Sequence, residues 1–189
     1  MIPSFEADLL QASVSFDHQL DRSLSELLKK TGSTVAVSES MTGGLISARL
    51  TALQGASGYF LGGLVCYSSL IKVTWGRVSA HTIRHYGVVS PEVASEMAKG
   101  IQIVMKSTIG LSITGYAGPD DNPDQTGKVC IGVWMPPFVD ETAVFKLVGS
   151  RDDIRQRATQ VALFQLKKWV EIYQDSLQIK TKEATNYDR

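Results

Sequence analysis

Thr34-Val35-Ala36-Val37-Ser38-Glu39-Ser40-Met41-Thr42-Gly43-Gly44 begins as a β-branched run and ends in small polar residues and paired glycines. The first four residues read as a short buried strand. Leu45, Ile46, Ala48, Leu50 and Leu53 then recur at helical spacing, so the polar residues sit where a strand hands over to a helix. Backbone N–H groups at such a junction can hold an anion or a developing oxyanion. A serine there is a nucleophile if a base lies near. The same residues also suit a plain helix cap, with glycines for tight packing.

Working outward, Phe16, Leu20, Leu24, Leu27 and Leu28 predict a preceding helix that Gly32 stops. Downstream, Gly55, Gly58, Gly62 and Gly63 break the chain before a second strand, Leu64-Val65-Cys66-Tyr67. Ser68 to Gly76 reads as a helical piece. Ser90-Pro91-Glu92 supplies an N-cap, a first-turn proline and a first-turn acid, and Val93, Met97, Ile101 and Val104 give that helix its apolar face. Ile109 to Thr114 is a third strand, and Gly115 to Lys128 a loop. Val129 to Trp134 and Thr142 to Val148 read as strands joined through Pro136-Pro137. A last helix begins near Ser150, with Asp153 as its capping-box partner, and runs through Ala158, Val161, Ala162 and Leu166.

Strands alternating with helices predict an α/β fold. The expected form is a single-domain layered sandwich with a mixed, mostly parallel sheet flanked by helices. The last two strands, with no helix between them, form its antiparallel pair. The domain is placed at residues 16–175, after a lead-in at 1–15 and before a polar tail at 176–189.

Composition fits this reading. The chain has 189 residues, 43% hydrophobic and 20% charged, the balance of an ordinary globule of one domain. Nineteen Lys and Arg offset nineteen Asp and Glu, so no basic excess exists to grip nucleic acid. Cys66 and Cys130 are too few for a disulfide framework or a structural zinc site. His81 and His85 share a helical spacing, but Thr82 stands where a zincin would carry glutamate, so no metal is expected. The N-terminus lacks a signal-peptide pattern, and no apolar run is long enough for a bilayer. The expected setting is cytoplasmic, without a membrane partner.

Two further segments stand out. In Tyr67-Ser68-Ser69-Leu70-Ile71-Lys72, directly after a strand, a lysine that loses solvation can act as a base. Ser69-x-x-Lys72 also has the acyl-enzyme spacing of β-lactamases, though the Ser-Asp-Asn and Lys-Thr-Gly companions are missing. Ile113-Thr114-Gly115-Tyr116-Ala117-Gly118-Pro119 runs from a strand into a glycine loop. All three segments end strands, where open α/β sheets bind ligands, so one pocket could gather them. None is a dinucleotide-binding fingerprint or a P-loop.

Together the segments resemble the CinA C-terminal domain family, here read as its stand-alone form. Its Glu-Ser-Cys-Thr-Gly-Gly, Tyr-Ser-Asn-x-x-Lys and Ile-Thr-Gly-x-Ala-Gly-Pro patterns correspond to residues 39–44, 67–72 and 113–119. Gly87 to Ala94 and Gly149-Ser150-Arg151 match two more. The resemblance implies an amidase converting nicotinamide mononucleotide to nicotinate mononucleotide and ammonia through a serine–lysine mechanism, without metal or organic cofactor. It implies Ser40 as nucleophile, Lys72 as general base and Tyr67 as polar partner. Thr42, Gly43 and Gly44 would offer N–H groups to the oxyanion; Thr114, Gly115, Ala117, Gly118, Arg151 and Arg155 would line the substrate. The partner implied is a small pyridine nucleotide, and the assembly a homo-oligomer. The chain departs from the family at Met41, at Ser69 and at Asp120-Asp121-Asn122, where glycines are usual. Two aspartates there would repel a phosphate, which opens two alternatives: a non-phosphorylated pyridine amide as substrate, or a catalytically silent binding or regulatory module.

Overall fold

The computed structural model describes residues 18–118 and 124–187, with side chains through residue 178. Helix α1 (His18–Thr31) leads into β1 (Val35–Glu39) and α2 (Leu45–Thr51); a short 3-10 turn (Ala56–Gly58) precedes β2 (Phe60–Val65). Three helices follow, α3 (Ser69–Thr74), α4 (Ala80–Tyr86) and α5 (Pro91–Met105). The chain then forms β3 (Ile109–Gly115), β4 (Lys128–Met135), β5 (Val139–Lys146) and the long α6 (Arg151–Tyr187).

The five strands make one sheet in the order β2-β1-β3-β4-β5. β1 pairs in parallel with β2 and β3, while β4 is antiparallel to both its neighbours. Four of the five strands therefore run the same way, the mixed and mostly parallel sheet that the alternation of elements predicts. Because β1 sits between β2 and β3, the carboxyl ends of these three strands open on one edge, with β1 at its centre. An open α/β sheet binds ligands at such a position.

Sequence alternation decides what covers each face. Val35, Val37, Ile109, Leu111, Ile113, Ile131 and Val133 enter one large core together with Leu24 and Leu28 of α1, Ile46 of α2, and Ile154, Ala158 and Leu166 of α6. Opposite, the strands present Ala36, Ser38, Gly110, Ser112 and Gly132, and α5 lies close on these small residues. A Cβ at Gly110 would stand 2.0 Å from the Ala98 carbonyl oxygen, and one at Gly132 2.6 Å from that of Ala94. Ser112 Oγ donates to the Ala94 carbonyl at 2.5 Å, tying helix to sheet.

Local signals hold where the chain satisfies itself. Ser90 caps α5 by accepting from the Val93 N–H, with Pro91 at the first position. At α6, Ser150 and Asp153 bond reciprocally, Asp153 N–H to Ser150 Oγ and Ser150 N–H to Asp153 Oδ2, as a capping box.

Boundaries move where tertiary pairing intervenes. β2 begins at Phe60 and stops at Val65, so Gly62 and Gly63 lie inside a strand and Cys66 and Tyr67 lie beyond it. At Gly63 a Cβ would fall 2.5 Å from Ser47 Oγ, so this glycine admits α2 and makes no break. β5 starts three residues before the expected Thr142, because the hairpin pairs Val139 with Met135 across a tight turn. α6 continues through the segment read as a tail, to Tyr187. No helix among the described residues is long and apolar enough to cross a membrane.

Candidate active site

β1 ends on Glu39, whose side chain is fully buried. Its carboxylate accepts from the N–H groups of Gly44, Ile46 and Ser47 and from the hydroxyls of Thr42 and Ser47, at 2.7–3.2 Å. It thereby occupies the N-terminus of α2, where orphan donors and the helix dipole favour an anion. Gly43 and Gly44 turn the chain between strand and helix with φ of 62° and 101°, a left-handed region that suits glycine. The turn is clamped from outside by Arg155 of α6. Its Nε donates to the Met41 carbonyl at 3.1 Å and a terminal nitrogen to that of Thr42 at 3.0 Å. Ser40 sits at the head of this braced turn.

Lys72 reaches Ser40 from α3, a short helix started by Ser68, whose Oγ accepts from the Ile71 N–H. Its side chain is only 2% exposed, and Nζ lies 2.9 Å from Ser40 Oγ, 2.7 Å from the Cys66 carbonyl and 3.5 Å from that of Tyr67. Burial lowers the lysine pKa below its ordinary value, against a smaller raising effect from Cys66. A neutral amine has two N–H bonds and one lone pair. As an ammonium, Nζ donates to Ser40 Oγ; in the neutral form the two carbonyls, which can only accept, would claim the N–H bonds and leave the lone pair to the serine hydroxyl. In that arrangement the amine can take the serine's proton. Ser69, one helical turn from Lys72, is solvent-exposed, and the lysine points to Ser40.

These groups open onto a cavity of about 440 Å³, large enough for a small organic ligand. Ser40, Tyr67, Lys72, Thr114, Gly118 and Arg151 are among its lining residues, so the three strand-end segments meet there. Gly115 and Ala117 complete the third segment's contribution. Tyr67 is 62% exposed, and its hydroxyl accepts from Arg151, which also donates to the Gly118 carbonyl at 3.2 Å. Thr114 Oγ1 is turned to the Val88 carbonyl at 2.9 Å.

Other expected groups fall elsewhere. Thr42, Gly43, Gly44 and Arg155 do not line the cavity. The Gly43 N–H is spent on the Ser40 carbonyl and that of Gly44 on Glu39, so neither is free for an oxyanion. Arg155 faces backbone because Met41 and Thr42 present carbonyls to α6. Asp120, Asp121 and Asn122 lie outside the described residues. His81 and His85 are exposed and stacked on α4, and no metal-holding group of three or more His, Cys, Asp or Glu occurs among the described residues. The reading from sequence gave Glu39 no role. Its signal is faint, because the acid lies five positions before the N-cap Gly44 and the usual capping-box spacing does not apply.

Residues 17–170 match the CinA C-terminal domain. CinA-like proteins of Acaryochloris marina and Chlorobium phaeobacteroides are 40% and 39% identical to the chain over 156 and 153 residues, covering 80% and 78% of it. The chain spans little more than a third of those relatives, 37% and 36% of their lengths. Among solved structures, a CinA superfamily protein from Klebsiella pneumoniae superposes with a TM-score of 0.77 at 27% identity, covering 82% of this chain and 97% of that one. One from Escherichia coli gives 0.75 at 29%, covering 78% and 86%. With the fold, the strand-end motifs and this match extending over most of its length, the chain belongs to the CinA C-terminal domain family.

Proposed function

We propose that the chain is an amidohydrolase that converts nicotinamide mononucleotide to nicotinate mononucleotide and ammonia. The observation that carries the reading is the buried Lys72 amine 2.9 Å from Ser40 Oγ at the floor of a ligand-sized cavity. Ser40 Oγ attacks the carboxamide carbon while its proton passes to Lys72 Nζ. The tetrahedral oxyanion collapses as Lys72 returns that proton to the amide nitrogen, and ammonia leaves. Water then attacks the acyl ester, again giving a proton to Lys72, and Ser40 recovers it as the carboxylic acid departs. These steps call for no metal or organic cofactor. Arg151, a cation on the cavity wall, suits the phosphate of the substrate, with Tyr67 beside it.

The test is ammonia release from nicotinamide mononucleotide by wild type, Ser40→Ala, Lys72→Ala and Ser69→Ala. Ser40→Ala and Lys72→Ala are expected to lose about a thousandfold in kcat, and Ser69→Ala less than about tenfold. Equal release by wild type and Lys72→Ala would remove the lysine from the mechanism. Faster turnover of the nucleoside than of the mononucleotide would replace the phosphorylated substrate with a neutral pyridine amide. Absence of turnover on any amide would leave a binding module.

A further inference from the structure

A second cavity, of about 180 Å³, opens between α6 and the last two strands of the sheet and shares no residue with the one at Ser40. Ile131 pairs with Ala143 and Val133 with Glu141. Directly opposed residues point to the same face, so these four side chains lie together beneath α6, which contributes Gln165, Lys168 and Trp169. Val161, Gln165 and Trp169 stand four apart, one row of a helix, and Val161 and Trp169 of that row join the large core. An amide thus interrupts an apolar row. Gln165 is only 5% exposed, and among the described residues nothing hydrogen-bonds its side chain. Burying an unpaired amide is costly, and this one borders a space that a ligand can enter. Glu141 of β5 and Lys168 of α6 line the same cavity, and neither has an ion-pair partner among the described residues, each other included. Their neighbours along the chain are paired, Asp140 with Lys99 and Lys167 with Glu171. Lys168 Nζ lies 5.5 Å from the centre of the Trp169 ring.

We propose that this cavity binds a free α-amino acid whose side chain ends in a carboxamide. An anion and a cation that share a cavity without meeting suit a ligand that carries both charges close together. Glu141 takes the ligand's ammonium and Lys168 its carboxylate. Ile131, Val133, Ala143 and the Trp169 indole cover its methylenes. A primary carboxamide both donates and accepts, as the Gln165 amide does, so the two satisfy each other through a pair of N–H···O bonds. An apolar side chain would leave Gln165 unpaired, and a carboxylate tip would answer only its N–H groups. The volume equals that of about six waters, short of a drug-sized pocket, which holds the ligand to this size. The site is independent of the chemistry at Ser40.

The experiment titrates the full chain with L-glutamine and L-asparagine, read by calorimetry and by tryptophan fluorescence. Saturable binding of one of them is expected, with a Kd below about 1 mM and a change in emission that Trp169→Phe loses although Trp75 and Trp134 remain. Gln165→Leu, a swap of similar size, is expected to weaken that amino acid at least about tenfold and to gain affinity for L-leucine. Glu141→Gln and Lys168→Met, both at exposed positions, should each weaken it about tenfold. The Nα-acetyl derivative, which lacks the ammonium, and the α-amide, which lacks the carboxylate, should bind at least about tenfold more weakly than the parent amino acid. Ser40→Ala separates the two cavities: undiminished binding supports the inference, and lost binding assigns the amino acid to the Ser40 cavity and overturns it. No saturation by wild type with either amino acid, equal affinity for L-leucine, or unchanged affinity in a folded Gln165→Leu also overturns it. If Gln165→Leu fails to fold by thermal melting, Glu141→Gln and Lys168→Met decide: weakened binding in both supports the inference, and wild-type affinity in either overturns it.

Discussion

Lys72 combines two properties that rarely coexist: almost complete burial and contact with a ligand cavity. Burial makes a charged ammonium costly, and it lowers the lysine pKa from its ordinary value. The consequence for activity is a rise in kcat/KM with pH whose inflection lies below the ordinary lysine range, measurable as a pH–rate profile of wild type. A linked consequence appears in stability. Since the folded pKa is lowered, the unfolded chain binds more protons between the folded and unfolded values, so stability rises with pH across that window. Comparing denaturant unfolding of wild type and Lys72→Met should therefore show wild type gaining on the variant as pH increases through it. A pH-independent difference would mean that the native lysine titrates like an exposed one.

The element that most constrains the site's geometry is α5, seated on the small-residue face of the sheet. Ala36, Gly110, Ser112 and Gly132 let its backbone approach the strands, and the same sheet carries Ser40 and the Thr114 loop at its carboxyl edge. A methyl group at Gly110 meets the Ala98 carbonyl at 2.0 Å, and neither backbone can yield without shifting the helix. Gly110→Ala is expected to cost about 3 kcal/mol or more and to lower Tm. Gly58→Ala, where nothing lies within 4 Å, should leave Tm almost unchanged. Cys130, on this same face, has its thiol pushed up to about 11 by burial, so it should resist a thiol reagent until the protein is unfolded.

At the scale of the whole molecule, α1, α2 and α6 are joined beneath the large core by a buried polar knot. Arg49 bonds Asp21 through Nε and a terminal nitrogen, the latter at 2.6 Å, and also donates to Gln160. Both charged side chains are 5% exposed. Removing one partner strands the other charge out of water. Asp21→Ala is accordingly expected to cost about 3–5 kcal/mol, whereas Asp21→Leu with Arg49→Met should cost far less. Chemical denaturation of the three proteins measures both. Because α2 begins at the Ser40 turn and α6 supplies Arg155, loosening this knot also loosens the site's frame.

By itself the sequence determined what depends on neighbours along the chain. The order of strands and helices, the Ser90-Pro91 start of α5 and the Ser150–Asp153 box follow from periodicity and capping, which act within a few residues. The strand-end placement of Ser40, Tyr67 and Thr114 was legible for the same reason. Tertiary structure alone decided what depends on distant contacts. It supplied the contact itself, bringing a buried amine 32 positions away from α3 to 2.9 Å from Ser40 Oγ at the end of β1, the serine that the family resemblance favours over Ser69. It committed the Gly43 and Gly44 amides through Glu39 and the turn, and it turned Arg155 from the cavity to the Met41 and Thr42 carbonyls. Hydrogen bonds and desolvation depend on position in space, and only the packed sheet brings these residues into contact.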